Sequence, residues 1–495
     1  MSDRPNILVI MTDQQKATAI QMYGNPDVPT PSLERLAARG TQYQYCYTPQ
    51  PLCTPARVSF WTGRYPHRHG SRTNELPMPP DERHFAHLLN ESGYQLGHIG
   101  KDHCFQPVDY DLFTERSICG HLGPDETEDS GEAEVVEWIH NAFQQTPWSP
   151  AHCGINPNPA ESCPTAVITR RATRFLEKQT PEQPFFLWIS IPDPHEPYQC
   201  PEPYASMHPP DQITLPPWPD DVNAHRMERL KVFRRLFGFA EMPEDQIRRC
   251  VSIYYGMIRF IDDAVGELLD TLDRLNLSDN TIVVFTSDHG DYAGERGLMG
   301  KSSTLYDAMT RVPLIVSMPG RVPEGAVDHN LVSLLDVMPT CLGLAGIDRP
   351  DGIDGQMLPG TGDDPPRDAV FVEYGAGGPR LHLEDVAHAA DPIWDQMTPP
   401  IPFLRWREAE GHPKMVRSGN YKYIYDPMDE TDELYDLEVD PWELTNLSLR
   451  PEHASVRADL KERLLRWSIC TEGGRPTQLF FDPETGVNTE KSFLP

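Results

Sequence analysis

Four apolar runs along the chain each end in polar groups, and this recurrence organises the rest of the pattern. The first, NILVIM (residues 6–11), stops at Thr12, Asp13 and Gln14. YQLGHI ends at Gly100 and Lys101, FFLWISI ends at Pro192, Asp193, Pro194 and His195, and TIVVFT ends at Ser287, Asp288 and His289. Short continuous apolar runs bounded by turn residues read as buried strands. In open α/β sheets ligands bind beyond the carboxyl ends of the strands, where side chains from separate strands converge. The pattern therefore predicts one composite site.

Helical periodicity fills the intervals. In TPSLERLAARG, Thr30 is the expected N-cap, Pro31 takes the first helical position, Leu33, Leu36 and Ala37 share a face, and Gly40 is the expected terminator. Between the third and fourth strands, Ile247, Val251, Tyr254, Ile258, Ile261, Val265 and Leu268 recur at helical spacing and predict a long helix covering the sheet. The Pro-rich stretch 192–219 is expected to be irregular surface chain that shapes a pocket.

After about Pro366 the texture changes to an irregular Gly, Pro and His segment, then YKYIYD, ELYDLEVD and a charged helix over 456–467. The expected organisation is an α/β domain over residues 1–365 and a smaller C-terminal α+β subdomain with an antiparallel sheet over 366–495. No internal repeat is visible. The tail, 470–495, has apolar residues without clear periodicity and is expected to pack on the core or on a partner subunit of a homo-oligomer.

Charge narrows the partners. The 43 Lys and Arg stand against 74 Asp and Glu, a formal charge of -31 spread along the chain. Such a surface repels nucleic acid and anionic membranes, so neither is an expected partner. MSDRPNILVI runs from a charged start into the first strand with no h-region or cleavage site, and a cytoplasmic protein is expected. No apolar run approaches the roughly 18 residues a membrane span needs. The ten cysteines form no CxxC pair and no zinc-like spacing, so most read as small buried hydrophobes.

The strand ends carry the chemistry. Asp13, Gln14, Asp288 and His289 offer two carboxylates, an amide oxygen and an imidazole, a plausible set for one divalent cation. Either aspartate alone could equally be a helix or loop cap. Arg57, Lys101, His103, His195 and Lys301 are predicted near the same sheet edge. An anionic, tetrahedral substrate needs donors around its oxygens, a Lewis acid opposite the nucleophile and an acid beside the leaving oxygen, and these residues supply all three. Cys53 is expected near the start of the helix through Val58, Phe60 and Trp61, where the helix dipole favours an anionic nucleophile. A plain thiolate pairs poorly with a hard-oxygen metal site.

With these residues in place, the chain resembles a type I sulfatase of the alkaline phosphatase superfamily. The likeness runs through PNILVIMTDQ, CTPARVSFWTGRYPHRHG, GYQLGHIGKDH, PDPHEPY, TIVVFTSDHGD, GKSSTLYDAMTRVPLIV and YKYIYDPMDETDELYDLEVDPWELTNL, almost the whole length. It implies an alkaline-phosphatase-like mixed sheet flanked by helices. It also implies that Cys53, in the C-x-P-x-R pattern, is converted by a separate maturation enzyme to formylglycine, whose hydrate attacks sulfur and then collapses to release sulfate. A serine ester has no second hydroxyl with which to collapse.

By the same resemblance, Asp13, Gln14, Asp288 and His289 hold the metal together with residue 53, and Arg57 orients the diol. Lys101 holds the hydrate and a sulfate oxygen, His103 takes the proton that triggers collapse, and His195 and Lys301 contact the sulfate and serve the leaving group. Calcium is the family's ion.

Gln14, His289 and Asn74 depart toward the phosphonate monoester hydrolase branch, and Gln14 and His289 make manganese or magnesium credible. Lys101 and His103 follow the sulfatase pattern. Sulfate monoester hydrolysis is the expectation; phosphonate monoester or phosphodiester hydrolysis with sulfatase promiscuity, and a non-catalytic binding protein, are the alternatives. The substrate is expected to be a small anionic sulfate ester, a sulfated sugar among the choices. It would be read by Arg72 and Asn74, by loop 198–221, and by 374–412 with His382, Trp394, Arg405 and Arg407.

Overall fold

The computed structural model describes residues 4–145, 151–219, 228–386, 401–429, 432–472, 477–482 and 487–492. Its strands up to residue 333 are β1 (Asn6–Thr12), β2 (Gly40–Tyr47), β3 (Gln95–Gly100), β4 (Glu115–Gly120), β5 (Gly123–Pro124), β6 (Cys153–Asn156), β7 (Phe185–Ile191), β8 (Tyr198–Pro201), β9 (Thr281–Ser287), β10 (Arg311–Ser317) and β11 (Ala326–Ser333). Nine of these form one mixed sheet in the order β11-β2-β10-β9-β1-β7-β3-β4-β5. The four runs read from the sequence are its parallel centre: β1 lies between β7 and β9, and β3 lies beyond β7. Every residue of β1, β7 and β9 is buried, as continuous apolar runs require when both faces are covered. The carboxyl ends of these four strands therefore open on one edge.

Helices pack on both faces. The long helix spans Glu244–Arg274, and its seven predicted core positions, Ile247 to Leu268, are each no more than 2% exposed. Burial of each such side chain is worth about 1.5–3 kcal/mol. This helix also pins the loop after β1: the Tyr254 hydroxyl donates to the Gln14 carbonyl (2.8 Å) and accepts from the Lys16 amide (3.1 Å).

The helix Pro31–Ala38 forms as the periodicity predicts, with its ends made differently. Thr30 makes no side-chain cap. Asp262 of the long helix accepts from the Ser32 and Leu33 amides instead, at 3.0 and 2.9 Å. Gly40 opens β2 rather than ending the helix; a Cβ there would stand 2.2 Å from the Val316 carbonyl oxygen, so tertiary contact demands the glycine.

Beyond residue 366 a second, antiparallel sheet contains β12 (Val370–Glu373), β13 (Lys414–Ser418), β14 (Tyr421–Tyr425) and β15 (Glu433–Asp436). The charged helix runs over Ala454–Cys470, somewhat longer than expected, and buries Leu460, Leu464 and Trp467. In the tail, β16 (Thr477–Asp482) pairs with β17 (Val487–Ser492). The Pro-rich stretch contains β8, paired in parallel with β6, and two short 3-10 turns. Among the described residues, no helix is long and apolar enough to cross a membrane.

Candidate active site

The Cys53 position is built by the helix Cys53–Thr62, all of whose residues are buried. Cys53 is its first residue, after Leu52 in extended conformation, and Gly63 ends it in the left-handed region (φ 66). Asn74 covers the open end: its Oδ1 accepts from the Thr54 amide (3.1 Å), and its Nδ2 donates to Glu408 Oε1 (2.9 Å). Glu408 belongs to the helix Ile401–Ala409, far away in sequence. Asn74→Ala should therefore lower stability by about 1 kcal/mol, the usual cost of losing a helix N-cap. Urea unfolding measures it, and an unchanged midpoint would mean that water caps the helix equally well.

Around Cys53 the strand ends converge as predicted. Asp13, Cys53, Asp288 and His289 each place a ligand atom within 4.8 Å of the others. Arg57, wholly buried, ties the set together: Nε donates to Asp288 Oδ2 (2.8 Å), Nη1 to Ser190 Oγ (2.7 Å) and Nη2 to Asp13 Oδ2 (3.3 Å). Lys101 makes a close ion pair with Asp13 Oδ2. Gly100, just before it, has φ 111, and a Cβ there would meet the Ser190 carbonyl oxygen at 2.0 Å. Only glycine lets β3 deliver the lysine at this point.

Lys301 fills the opposite side. Its ammonium lies 2.6 Å from His195 Nε2, 3.0 Å from Gln14 Oε1 and 3.4 Å from Cys53 Sγ. An ammonium can only donate, so His195 accepts at Nε2, and its Nδ1 donates to the Glu196 carbonyl (2.6 Å). Gln14 sits at φ 66, and its amide is held from behind by Glu196 Oε2 (2.5 Å) and Asp291 Oδ2 (2.6 Å), so Oε1 faces inward. His103, also at positive φ (104), shares a hydrogen bond with the Cys53 thiol, and its carbonyl accepts from Thr54 Oγ1 (2.8 Å). Backbone held in such sparsely populated conformations costs of order 1–3 kcal/mol per residue and tends to cluster at functional sites.

The charges shift one another. Burial works to raise the Cys53 thiol, yet Lys101, Lys301 and His289 pull it well below its ordinary value. Burial and Cys53 work to raise Asp13, while Lys101, His195 and Arg57 hold it far below the usual carboxylate range. Burial lowers His289, but Asp288 and Cys53 push it up to about 9.

The same groups suit a cation. His289 Nδ1 donates to the Gly290 carbonyl (3.0 Å), which directs Nε2 inward, 3.7 Å from both Asp13 Oδ1 and Asp288 Oδ1. A nitrogen facing two buried carboxylates is a position where positive charge is favoured, and a second hydrogen bond that fixes the ring is usual for a metal-binding histidine. Two carboxylates and one imidazole, with the Gln14 oxygen beside them, fit a divalent ion.

The other sequence-predicted residues lie apart from this cluster. The Arg72 guanidinium is committed to the Gly375 carbonyl (2.8 Å), Glu373 (3.3 Å) and His412 (3.0 Å). Arg407 donates to the Lys301 carbonyl (3.0 Å) and lies over Phe233, so it supports the lysine from outside. Arg405 pairs with Glu75, and His382 lies 3.7 Å from Glu228. Trp394, with residues 220–221 of the Pro-rich loop, lies outside the described residues. Sequence reasoning missed His121, Glu196, Asp291 and Glu408. Glu196 and Asp291 lie a few residues past the ends of β7 and β9, where the rule that found their neighbours would have reached them, whereas His121 follows β4, which no apolar run marks.

Comparison with known proteins places this geometry in a family. The family profile described as Sulfatase matches residues 5–347. A choline-sulfatase from Rhizobium meliloti is 29% identical over 493 aligned residues, covering 94% of this chain and 87% of that protein. Among solved structures, the phosphonate monoester hydrolase of Agrobacterium radiobacter superposes with a TM-score of 0.77 at 22% identity, covering 99% of this chain and 100% of that one. BT4656, solved with its substrate D-glucosamine-2-N,6-O-disulfate, gives 0.70 at 22% identity, with 95% and 98% covered.

Proposed function

The chain belongs to the sulfatase family and hydrolyses sulfuric esters, and from that premise we propose that Cys53 is the precursor of a formylglycine nucleophile acting beside one divalent cation. Residues 1–365 form the catalytic unit in this reading, and the C-terminal unit contributes Glu408, which steadies Asn74. The observation that carries it is the pair of ammonium groups, Lys101 and Lys301, flanking a buried Cys53 at a helix start.

Asp13, Gln14, Asp288 and His289 would hold the cation, which supplies Lewis-acid polarisation of a sulfate oxygen. Calcium is the ion the family implies; the His289 nitrogen makes manganese and magnesium its competitors. The aldehyde hydrate supplies an attacking oxygen and a second hydroxyl for release of sulfate.

The remaining steps belong to residues in place. Arg57 keeps Asp13 and Asp288 in register, and Lys101 and Lys301 bind sulfate oxygens from either side. The leaving alcohol oxygen takes the proton that Lys301 Nζ shares with His195 Nε2, because the His195 Nδ1 proton is already spent on the Glu196 carbonyl. His103, bonded to the nucleophile position, accepts the proton of the second hydroxyl. The expected substrates are small sulfate esters, sulfated sugars among them.

Phosphonate monoester hydrolysis is the second reading, favoured by Gln14, His289 and Asn74. A comparison of kcat/KM on an aryl sulfate, a phosphonate monoester and a phosphodiester decides between them. The aryl sulfate is expected to be the best of the three, and a faster phosphonate would reverse the assignment.

A further inference from the structure

We propose that His121 is a positioning residue of this site, which fixes the Lys101 ammonium and the His195 ring in their sulfate-binding orientations. The inference rests on the reading that Lys101 and His195 meet the sulfate. His121 follows β4 directly, and its Nε2 lies 2.9 Å from Lys101 Nζ and 3.8 Å from Asp13 Oδ2. Its ring centroid is 4.3 Å from that of His195, with the planes 37° apart. The side chain is 14% exposed and lines a small cavity together with Asp193 and His195.

The argument is one of donors and acceptors. Lys101 has only N–H groups to offer, so His121 Nε2 receives one of them as a lone pair. Asp13 receives a second. Two fixed bonds leave the ammonium no freedom to rotate, and its third N–H points where those two dictate. On the far side Lys301 donates to His195 in the same way. The site is thus bounded by two lysine–histidine pairs whose imidazoles lie against each other, and the face of His121 limits how far the His195 ring can swing. Misplacing a binding group by about 1 Å can cost about 100-fold in rate.

The test uses the full chain and an aryl sulfate. His121→Leu removes the acceptor and is expected to lower kcat/KM about 100-fold, with an unchanged urea midpoint. His121→Gln places an oxygen near the position of Nε2 and is expected to restore most of the loss. The double variant of His121→Leu with Lys101→Ala is expected to lose less than the sum of the two single losses, because the part of the His121 effect carried by Lys101 is already gone and only its hold on the His195 ring remains. Full activity in His121→Leu, failure of glutamine to restore it, or additive losses would each overturn the proposal. If His121→Leu does not fold, His121→Met replaces it in the same comparisons. Should Lys101→Ala itself remain active, the sulfate-binding reading fails and this inference falls with it. If Lys101→Ala is inactive while His121→Leu is not, only this inference falls.

Discussion

Cys53→Ala is expected to fold and yet lose turnover of sulfate esters by about four to six orders of magnitude, the usual consequence of deleting a covalent nucleophile. The fold should survive because the charges around the thiol have other partners. Lys101 keeps Asp13 and His121; Lys301 keeps Gln14 and His195. Cys53→Ser separates the formylglycine reading from a simpler one. A serine oxygen in this position can accept sulfate once and has no second hydroxyl with which to expel it. It should therefore release about one equivalent of alcohol per active site in a burst and then stop. Steady turnover by the serine variant would remove the reason for an aldehyde. Mass spectrometry of the peptide spanning residue 53 gives the companion result: fully active protein that still carries an intact thiol would end the formylglycine proposal.

The parts of this site that were legible in the sequence are those delivered by continuous apolar strands. β1, β3, β7 and β9 announce themselves because both faces are covered, and their carboxyl ends carry Asp13, Lys101, His195 and Asp288. β4 reads ERSICG, with only Cys119 fully buried near its end, so no run of apolar residues marks it, and His121 beyond it went unseen. β2, GTQYQYCY, hides in the same way behind its glutamines, although Tyr43, Cys46 and Tyr47 are buried. Glu408 had no local signal at all, since its place beside Asn74 is created by a helix more than 300 residues away. Gly40 and Thr30 show the other limit. Local rules assigned them helix-end roles, while the structure satisfies the N-terminal end through Asp262 and keeps Gly40 for the close approach of β10.

Arg57→Met should be the most destabilising of the substitutions considered, and the size of its effect should depend on metal. In the wild-type protein the guanidinium bridges Asp288, Ser190 and Asp13 with every partner buried. Removing one partner of a buried ion pair typically costs about 3–5 kcal/mol, because the remaining charge has no water to turn to. Arg57→Lys should recover little of this, since one ammonium cannot span three acceptors as the planar fork does. A divalent cation between Asp13 and Asp288 would compensate the same two carboxylates. Binding at a hundredfold excess over Kd stabilises a fold by about 2.7 kcal/mol, and Asp13 and Asp288, having lost the guanidinium in the variant, should bind the ion more tightly than they do in the wild type. The loss caused by Arg57→Met should thus be larger in chelator than with saturating metal, as read from urea midpoints. Equal losses under the two conditions would place the cation elsewhere and leave Asp13 and Asp288 to their partners within the protein.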